Sequence, residues 1–179
     1  STLERPKTTT DAEDRDLNDL FVTILIPAYN EDPKYLAACI MSMVKQSRKP
    51  NMIHVTDDGS IDDYARVRDR AFAICDKAHI QLSWIRTANG GKRHAQAAGI
   101  NVARDFTDIF VTVDSDTVLD PVAIEEGLKP FADKKVTAVA GIYLPMNTAT
   151  NLLTRISSVW EVSWQLIDRS SQSYFNSVT

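Results

Sequence analysis

Short apolar runs alternate with amphipathic stretches along this chain, and the alternation restricts its fold more than any other feature. The amphipathic stretches place apolar residues at helical spacing and are predicted helices. Strands that alternate with helices form a mainly parallel sheet with helices on both faces, so we predict an α/β fold. The predicted strands are residues 21–27, 52–56, 80–85, 108–113 and 136–142, and the predicted helices are residues 33–46, 60–77, 92–104, 121–131 and 151–169.

The charge of the chain restricts its partners. Its 20 basic and 24 acidic side chains give a formal net charge of −4, which argues against a nucleic-acid binder that neutralises phosphates. No uninterrupted apolar stretch approaches the roughly 18 residues of a membrane span, so we expect none in this chain. Cys39 and Cys75 fall in predicted helices with apolar neighbours, which favours buried free thiols in a cytoplasmic protein over a disulfide.

The first 19 residues differ in composition from the rest. They hold six acidic and three basic side chains, and Leu3 and Leu17 are their only large apolar residues. Because so little apolar surface is available for packing, we expect residues 1–19 to be a mobile acidic tail. Residues 20–179 are then the folded domain.

Polar side chains collect directly after the predicted strands. Ligands of a parallel sheet bind outside the carboxyl ends of its strands, so these side chains are expected to share one edge. Like charges this close repel unless a cation or hydrogen-bond donors offset them, and we predict a divalent metal there. Lys92, Arg93 and His94 would face an anionic ligand across the metal. The carboxylates expected at this edge are Glu31, Asp32, Asp57, Asp58, Asp114 and Asp116.

Asp114-Ser115-Asp116 follows the apolar strand at residues 108–113. Two residues apart on an extended chain, both carboxylates point to the same side. Mg²⁺ or Mn²⁺ takes such oxygen ligands together with phosphate oxygens and waters, so this pair suffices when a substrate brings a diphosphate. The alternative is that both residues only terminate the strand and cap the next segment.

Asp57-Asp58-Gly59-Ser60 has a structural and a functional interpretation. Gly59 permits a tight turn, and Ser60 with Asp63 resembles a capping box for the next helix. That interpretation leaves Asp57 and Asp58 unexplained. A carboxylate at a strand end can accept the imide N–H of a uracil ring, so we favour base recognition.

The loop before the helix at residues 92–104 contains two glycines. Gly90 and Gly91 allow the backbone to approach a ligand closely, and Lys92 begins a helix where anions are favoured. A solvated basic turn is the alternative. Tyr29, in the loop after the first strand, could stack on a base, although exposed loop tyrosines are common.

Together the four loops resemble the family 2 inverting glycosyltransferases of the GT-A fold, and among them the processive hyaluronan, chitin and cellulose synthase group. The resemblance runs from about residue 21 to the end of the chain. The matching segments are Pro27-Ala28-Tyr29-Asn30-Glu31, Asp57-Asp58-Gly59-Ser60, residues 91–96, Asp114-Ser115-Asp116-Thr117 and Gln172-Ser173-Tyr174-Phe175.

The resemblance implies a role for each matching residue. It implies transfer of a sugar, with inversion, from a UDP-sugar to a polysaccharide or lipid-linked acceptor. Lys92 would approach the base or diphosphate, Asp114 and Ser115 would lie near the ribose and diphosphate, and Asp116 with Asp114 would bind Mg²⁺ or Mn²⁺. The residues that would contact the uridine, or lie beside it, are Ala28, Tyr29, Glu31, Asp57 and Asp58.

The sequence departs from the family pattern after these loops. The later acidic motif that holds the catalytic base and the Gln-x-x-Arg-Trp motif are absent, so the base is unknown. We therefore expect a donor-binding portion that ends before the acceptor half and binds UDP or UDP-sugar with little turnover. Membrane association, at the cytoplasmic face, is expected only in a longer protein.

Two alternative functions stay open at this point. In a haloacid-dehalogenase-like phosphatase Asp114 would be the nucleophile and Asp116 the acid and base. A non-catalytic nucleotide-binding module would share the same site and differ only in turnover.

Overall fold

The structure is a computed structural model that describes residues 7–141. Residues 10–128 form one compact unit, and residues 7–9 and 129–141 belong to a second. In the second unit Lys129–Ala132 forms a short 3-10 helix, and the Lys7 ammonium donates to the Pro130 carbonyl at 3.5 Å.

A parallel sheet of four strands forms the centre of the larger unit. The strands are β1 (Val22–Ala28), β2 (Met52–Asp57), β3 (Gln81–Arg86) and β4 (Ile109–Thr112), in the order β3-β2-β1-β4. All three strand pairs are parallel. β1 and β2 are almost wholly buried, as their apolar sequences require. The predicted parallel α/β architecture is confirmed.

Helices cover both faces of this sheet. They are α1 (Asp11–Asp19), α2 (Pro33–Val44), α3 (Ala65–Lys77), α4 (Lys92–Ala103) and α5 (Ala123–Leu128). Ile24 and Ile53 share one face and belong to the core cluster that also contains buried residues of α2 and α3. The opposite face carries Leu25 and His54, and α4 packs so closely there that a Cβ on Gly99 would lie 2.8 Å from the His54 ring. None of the helices within residues 7–141 is long and apolar enough to cross a bilayer.

His54 is a structural residue at the centre of β2. Its ring nitrogens bond to the hydroxyls of Ser83 at 3.0 Å and Thr56 at 3.1 Å. Burial lowers the pKa of His54 to about 4, so the ring is neutral at pH 7.

Helix α1 corrects the expectation of a mobile tail for residues 11–19. Thr10 and Glu13 form a capping box, in which each side chain bonds the other's backbone N–H. Leu17 is buried, and the Arg48 guanidinium donates to the Leu20 carbonyl at 2.7 Å just after the helix. The Thr-x-x-Glu pattern of this capping box is present in the sequence, and a helix forms although the segment has few apolar residues.

Helix α3 begins at Ala65 rather than at residue 60, so the predicted Ser60–Asp63 capping box is wrong. The Ser60 N–H donates to Asp57 at 2.9 Å, and the Ile61 N–H donates to the Asn30 side chain at 2.7 Å. These bonds hold the residues after Ser60 as a loop that connects to the neighbouring strand end.

Two predicted elements near residue 130 also differ. The helix predicted at 121–131 is α5 followed by the 3-10 turn, and residues 136–141 form no strand. The helix predicted at 151–169 lies outside the described residues. The other strand and helix ends fall within two residues of the prediction.

Candidate functional site

The four predicted loops meet at the carboxyl edge of the sheet in the larger unit. The chain passes from β1 to β2 and β3 on one side and returns to β4 on the other, so the strand order reverses beside β1. Such a reversal is where parallel sheets open a ligand crevice. Ala28, at the end of β1, is buried and its carbonyl accepts from the Asp58 N–H at 2.8 Å, whereas Tyr29 is 53% exposed.

Asp58 is buried and bonded to the loop after β3. One carboxylate oxygen accepts from the Gly90 N–H at 3.0 Å and the Thr87 hydroxyl at 3.3 Å, and the other accepts from the Gly91 N–H at 2.8 Å. Gly91 has a φ of +86°, which glycine adopts without strain. The Asp58 carboxylate therefore fixes the shape of the glycine loop.

Asp57 is also buried and is satisfied by the chain itself. Its carboxylate accepts from the Ser60 N–H at 2.9 Å and lies 3.6 Å from the Arg86 guanidinium, which also donates to the Ser60 carbonyl. Between Asp58 and Ser60, Gly59 turns the chain at a φ of +74°, and a Cβ there would lie 2.9 Å from the Asn89 nitrogen. Protein donors thus offset the charges of Asp57 and Asp58, where the sequence predicted a metal for the whole edge.

Glu31 connects the loops after β1 and β4. Its carboxylate accepts from the Ser115 hydroxyl at 2.9 Å, and the Tyr64 hydroxyl bonds both its backbone N–H and its carbonyl. The neighbouring Asp32 caps α2 as predicted, accepting from the Lys34 N–H at 2.8 Å with proline at the first helical position.

Lys92 begins α4 and reaches across the site to Asp114. The two charged groups are 2.5 Å apart, and both side chains are more than half exposed. Arg93 and His94, which the sequence grouped with Lys92 as facing an anionic ligand, are both exposed. The His94 ring lies close to Gly90, where an added Cβ would be 2.6 Å from the ring. Arg93 makes no ion pair with any described residue.

Asp116 is exposed, and its carboxylate has no hydrogen bond or ion pair within residues 7–141. No group of three or more potential ligand side chains could hold a metal among these residues. Mg²⁺ is commonly bound by only one or two carboxylates together with substrate phosphates and waters. Asp116 and Asp114 therefore fit a cation that a diphosphate helps to bind.

Cys39 lies beneath this loop, which the sequence did not indicate. Its thiol donates to the Asp114 carbonyl at 3.3 Å. Burial raises the pKa of Cys39 to about 12, and the nearby charges of Asp116, Asp114 and Glu31 add to the effect. The prediction of free, buried thiols is confirmed for Cys39 and Cys75.

Three further residues of the site had escaped the sequence analysis. Tyr64 bonds the backbone of Glu31. Arg86 pairs with the carboxylate of Asp57, and Thr87 donates to that of Asp58. The position of Arg86 and Thr87 at the end of a predicted strand was the available signal, because that edge collects functional side chains.

Comparisons with known proteins identify a common family. The family model described as glycosyl transferase family 2 matches residues 23–175. A hyaluronan synthase of Streptococcus pyogenes is 37% identical over 164 residues, which cover 87% of this chain and 37% of that protein. An N-acetylglucosaminyltransferase of Rhizobium leguminosarum bv. viciae is 32% identical over 174 residues, 95% of this chain and 39% of that protein. The chain spans less than two fifths of the length of these relatives.

Two solved structures have a similar fold. One is the mannosyltransferase PcManGT from Pyrobaculum calidifontis in complex with GDP-Man and Mn²⁺, with a TM-score of 0.59 and 24% identity over 73% of this chain and 38% of that one. The other is S. aureus TarS 1–349 in complex with UDP, with a TM-score of 0.52 and 19% identity over 73% of this chain and 39% of that one.

Proposed function

The chain belongs to glycosyl transferase family 2, and on that premise we propose that it binds the UDP-sugar donor of an inverting, metal-dependent sugar transfer. The predicted GT-A fold is confirmed, because the solved structures it resembles are glycosyltransferases of that fold. The observation that carries the proposal is the junction of loops at the strand reversal, where Ser115 bonds Glu31 and Lys92 pairs with Asp114.

The base of the donor is assigned to the loops after β1 and β2. Tyr29 is exposed and offers a ring for stacking on uracil. Asp58 accepts three hydrogen bonds, and a carboxylate has about four lone-pair sites, so one site is left for the uracil imide N–H. Ala28 and Asp57 are buried at the ends of the same two strands, and we assign them to the uridine site as well.

The diphosphate is assigned to the opposite side of the crevice. The Lys92 ammonium is a cation beside the N-terminus of α4, where anions are favoured. Asp116 and Asp114 would hold Mg²⁺ or Mn²⁺, which when bound offsets charge on the departing UDP. Ser115, held by Glu31, keeps the two aspartates in place beside the ribose and diphosphate.

The similar structures support this assignment of ligands. The mannosyltransferase is in complex with GDP-Man and Mn²⁺, and TarS is in complex with UDP. The hyaluronan synthase relative supports a polysaccharide as acceptor, with a lipid-linked acceptor as the alternative. Cytoplasmic location and the membrane association of a longer protein remain predictions, and we assign no residue as the catalytic base.

The phosphatase alternative for Asp114 and Asp116 is wrong, because the matching family model is that of a glycosyltransferase. The non-catalytic nucleotide-binding module shares every contact described above. An assay over hours for free sugar or for transfer to an acceptor distinguishes a slow glycosyltransferase from such a module. We propose slow turnover at most, with donor binding as the main activity of these residues.

Calorimetry of the full chain with UDP, with and without Mn²⁺, tests the proposal. We expect binding that Mn²⁺ strengthens, and Asp116→Asn should weaken it at least tenfold, about 1.4 kcal/mol. The matched control is Asp105→Asn, whose side chain is 91% exposed just after the end of α4, and it should leave binding unchanged. Absence of UDP binding, or equal binding by Asp116→Asn, would contradict the proposal.

A further inference from the structure

Tyr64 holds the backbone of Glu31 with a single phenol oxygen. The hydroxyl accepts from the Glu31 N–H at 2.6 Å and donates to the Glu31 carbonyl at 3.0 Å. The ring is 2% exposed and contacts Trp84 at a centroid distance of 6.2 Å. Because the ring is packed on one side, the hydroxyl is a fixed point from which Glu31 is positioned.

The side chain of Glu31 extends this connection to the loop after β4. One carboxylate oxygen accepts from the Ser115 hydroxyl at 2.9 Å, and the other from the Asp32 N–H at 3.0 Å. Ser115 is 9% exposed and stands between Asp114 and Asp116. The contacts therefore run from the residue before α3, past the end of β1, to the exposed aspartates.

Ser115 depends on Glu31 for its orientation. Within residues 7–141 its hydroxyl bonds no other group. The other contacts of Asp114 are the bonds from the Cys39 thiol and the Thr117 N–H to its carbonyl and the ion pair of its carboxylate with Lys92. A shift of the Glu31 backbone would therefore be transmitted to the middle of the aspartate loop.

We propose that Tyr64 is a positioning residue, which sets the place of Asp114 and Asp116 through Glu31 and Ser115. This inference rests on the proposed function, because the aspartates are positioned for a metal-bound diphosphate. Tyr64 is 2% exposed, so it acts through Glu31 and not on the ligand directly. Loss of its hydroxyl leaves the N–H and carbonyl of Glu31 without their partner, and such groups move to regain hydrogen bonds.

The first test compares UDP affinity with and without Mn²⁺ in the full chain carrying Tyr64→Phe, which retains the packed ring. We expect the gain in affinity that Mn²⁺ provides to fall at least fivefold, while affinity without Mn²⁺ changes less than twofold. The matched control is Tyr35→Phe, a tyrosine 51% exposed on α2, which should behave as wild type. Equal losses with and without Mn²⁺, or no loss, would overturn the positioning role.

A double-mutant cycle tests the route through Ser115. Ser115→Ala should reproduce the Tyr64→Phe effect, and the double variant should add less than twofold, because both changes break one chain of contacts. Independent, multiplying effects would show that Tyr64 does not act through Ser115.

Hydrogen exchange provides a measurement that needs no ligand. The Thr117 N–H bonds the Asp114 carbonyl at 3.0 Å, so its exchange rate reports the order of the aspartate loop. Tyr64→Phe should raise that rate at least fivefold and leave the Arg104 N–H, at the end of α4, unchanged. If the wild type binds no UDP, the proposed function fails. The Thr117 exchange rate then tests by itself whether Tyr64 positions the aspartate loop, and a rate that Tyr64→Phe leaves unchanged overturns the inference.

Discussion

The loops after β2 and β4 each carry two aspartates, and their environments are opposite. Asp57 and Asp58 are 3% and 1% exposed, and both carboxylates accept from backbone N–H groups of the chain. Asp114 is exposed and paired only with the equally exposed Lys92, and Asp116 has no partner among residues 7–141. Two aspartate pairs that look alike in sequence therefore differ in burial and in the groups that offset their charge.

The difference separates carboxylates on which the fold depends from carboxylates on which it does not. A buried carboxylate must be hydrogen-bonded, so Asp57 and Asp58 stabilise the loops that they bond. An exposed carboxylate keeps its hydration and can exchange water for a cation at small cost to the fold. We therefore expect substitutions in the loop after β2 to lower stability as well as base binding, and substitutions in the loop after β4 to change ligand affinity with little effect on stability.

The largest expected effect is that of Asp58→Ala on stability. Three donors lose a charged acceptor, so the free energy of unfolding should fall by about 3 kcal/mol. Urea unfolding followed by circular dichroism measures it. Asp116→Ala is the matched change at an exposed site and should cost less than about 0.5 kcal/mol. Similar losses of stability for both variants would contradict the distinction between buried and exposed aspartates.

Gly59→Ala is expected to have the next largest effect. The φ of +74° costs an L-residue about 1–2 kcal/mol, and the Cβ would lie 2.9 Å from the Asn89 nitrogen. The free energy of unfolding should fall by about 2 kcal/mol in the same assay. Gly127→Ala, in α5 with no atom within 4 Å of the new Cβ, should keep or raise stability. A tolerated Gly59→Ala would mean that this loop is not rigid.

Lys92→Met should have the smallest effect on stability, less than about 0.5 kcal/mol, because both partners of the ion pair are exposed. Affinity should change in two directions. Mn²⁺ alone, followed by electron paramagnetic resonance, should bind about threefold tighter without a competing ammonium, whereas UDP in the presence of Mn²⁺ should bind more weakly. Lys77→Met, exposed at the end of α3, is the control, and an identical response would remove Lys92 from the site.

The sheet was predictable because each strand carries its signal locally. The apolar runs that became β1 and β2 are buried on both faces, so their sequence alone marks them. Asp32 followed by Pro33 likewise predicted the first residue of α2. Predictions failed where a distant partner decides, as just after Ser60, where the Ile61 N–H bonds the side chain of Asn30 in the loop after β1 and no helix begins.

The sequence by itself determined the α/β order, the identity of the four loops and the resemblance to family 2 glycosyltransferases. Only the tertiary structure decided which carboxylates are buried and which remain exposed. The donors of Asp58 come from Gly90 and Gly91, and Tyr64 reaches Ser115 only through Glu31. Periodicity reports the neighbours of a residue along the chain, whereas charge compensation depends on groups that folding brings from other loops.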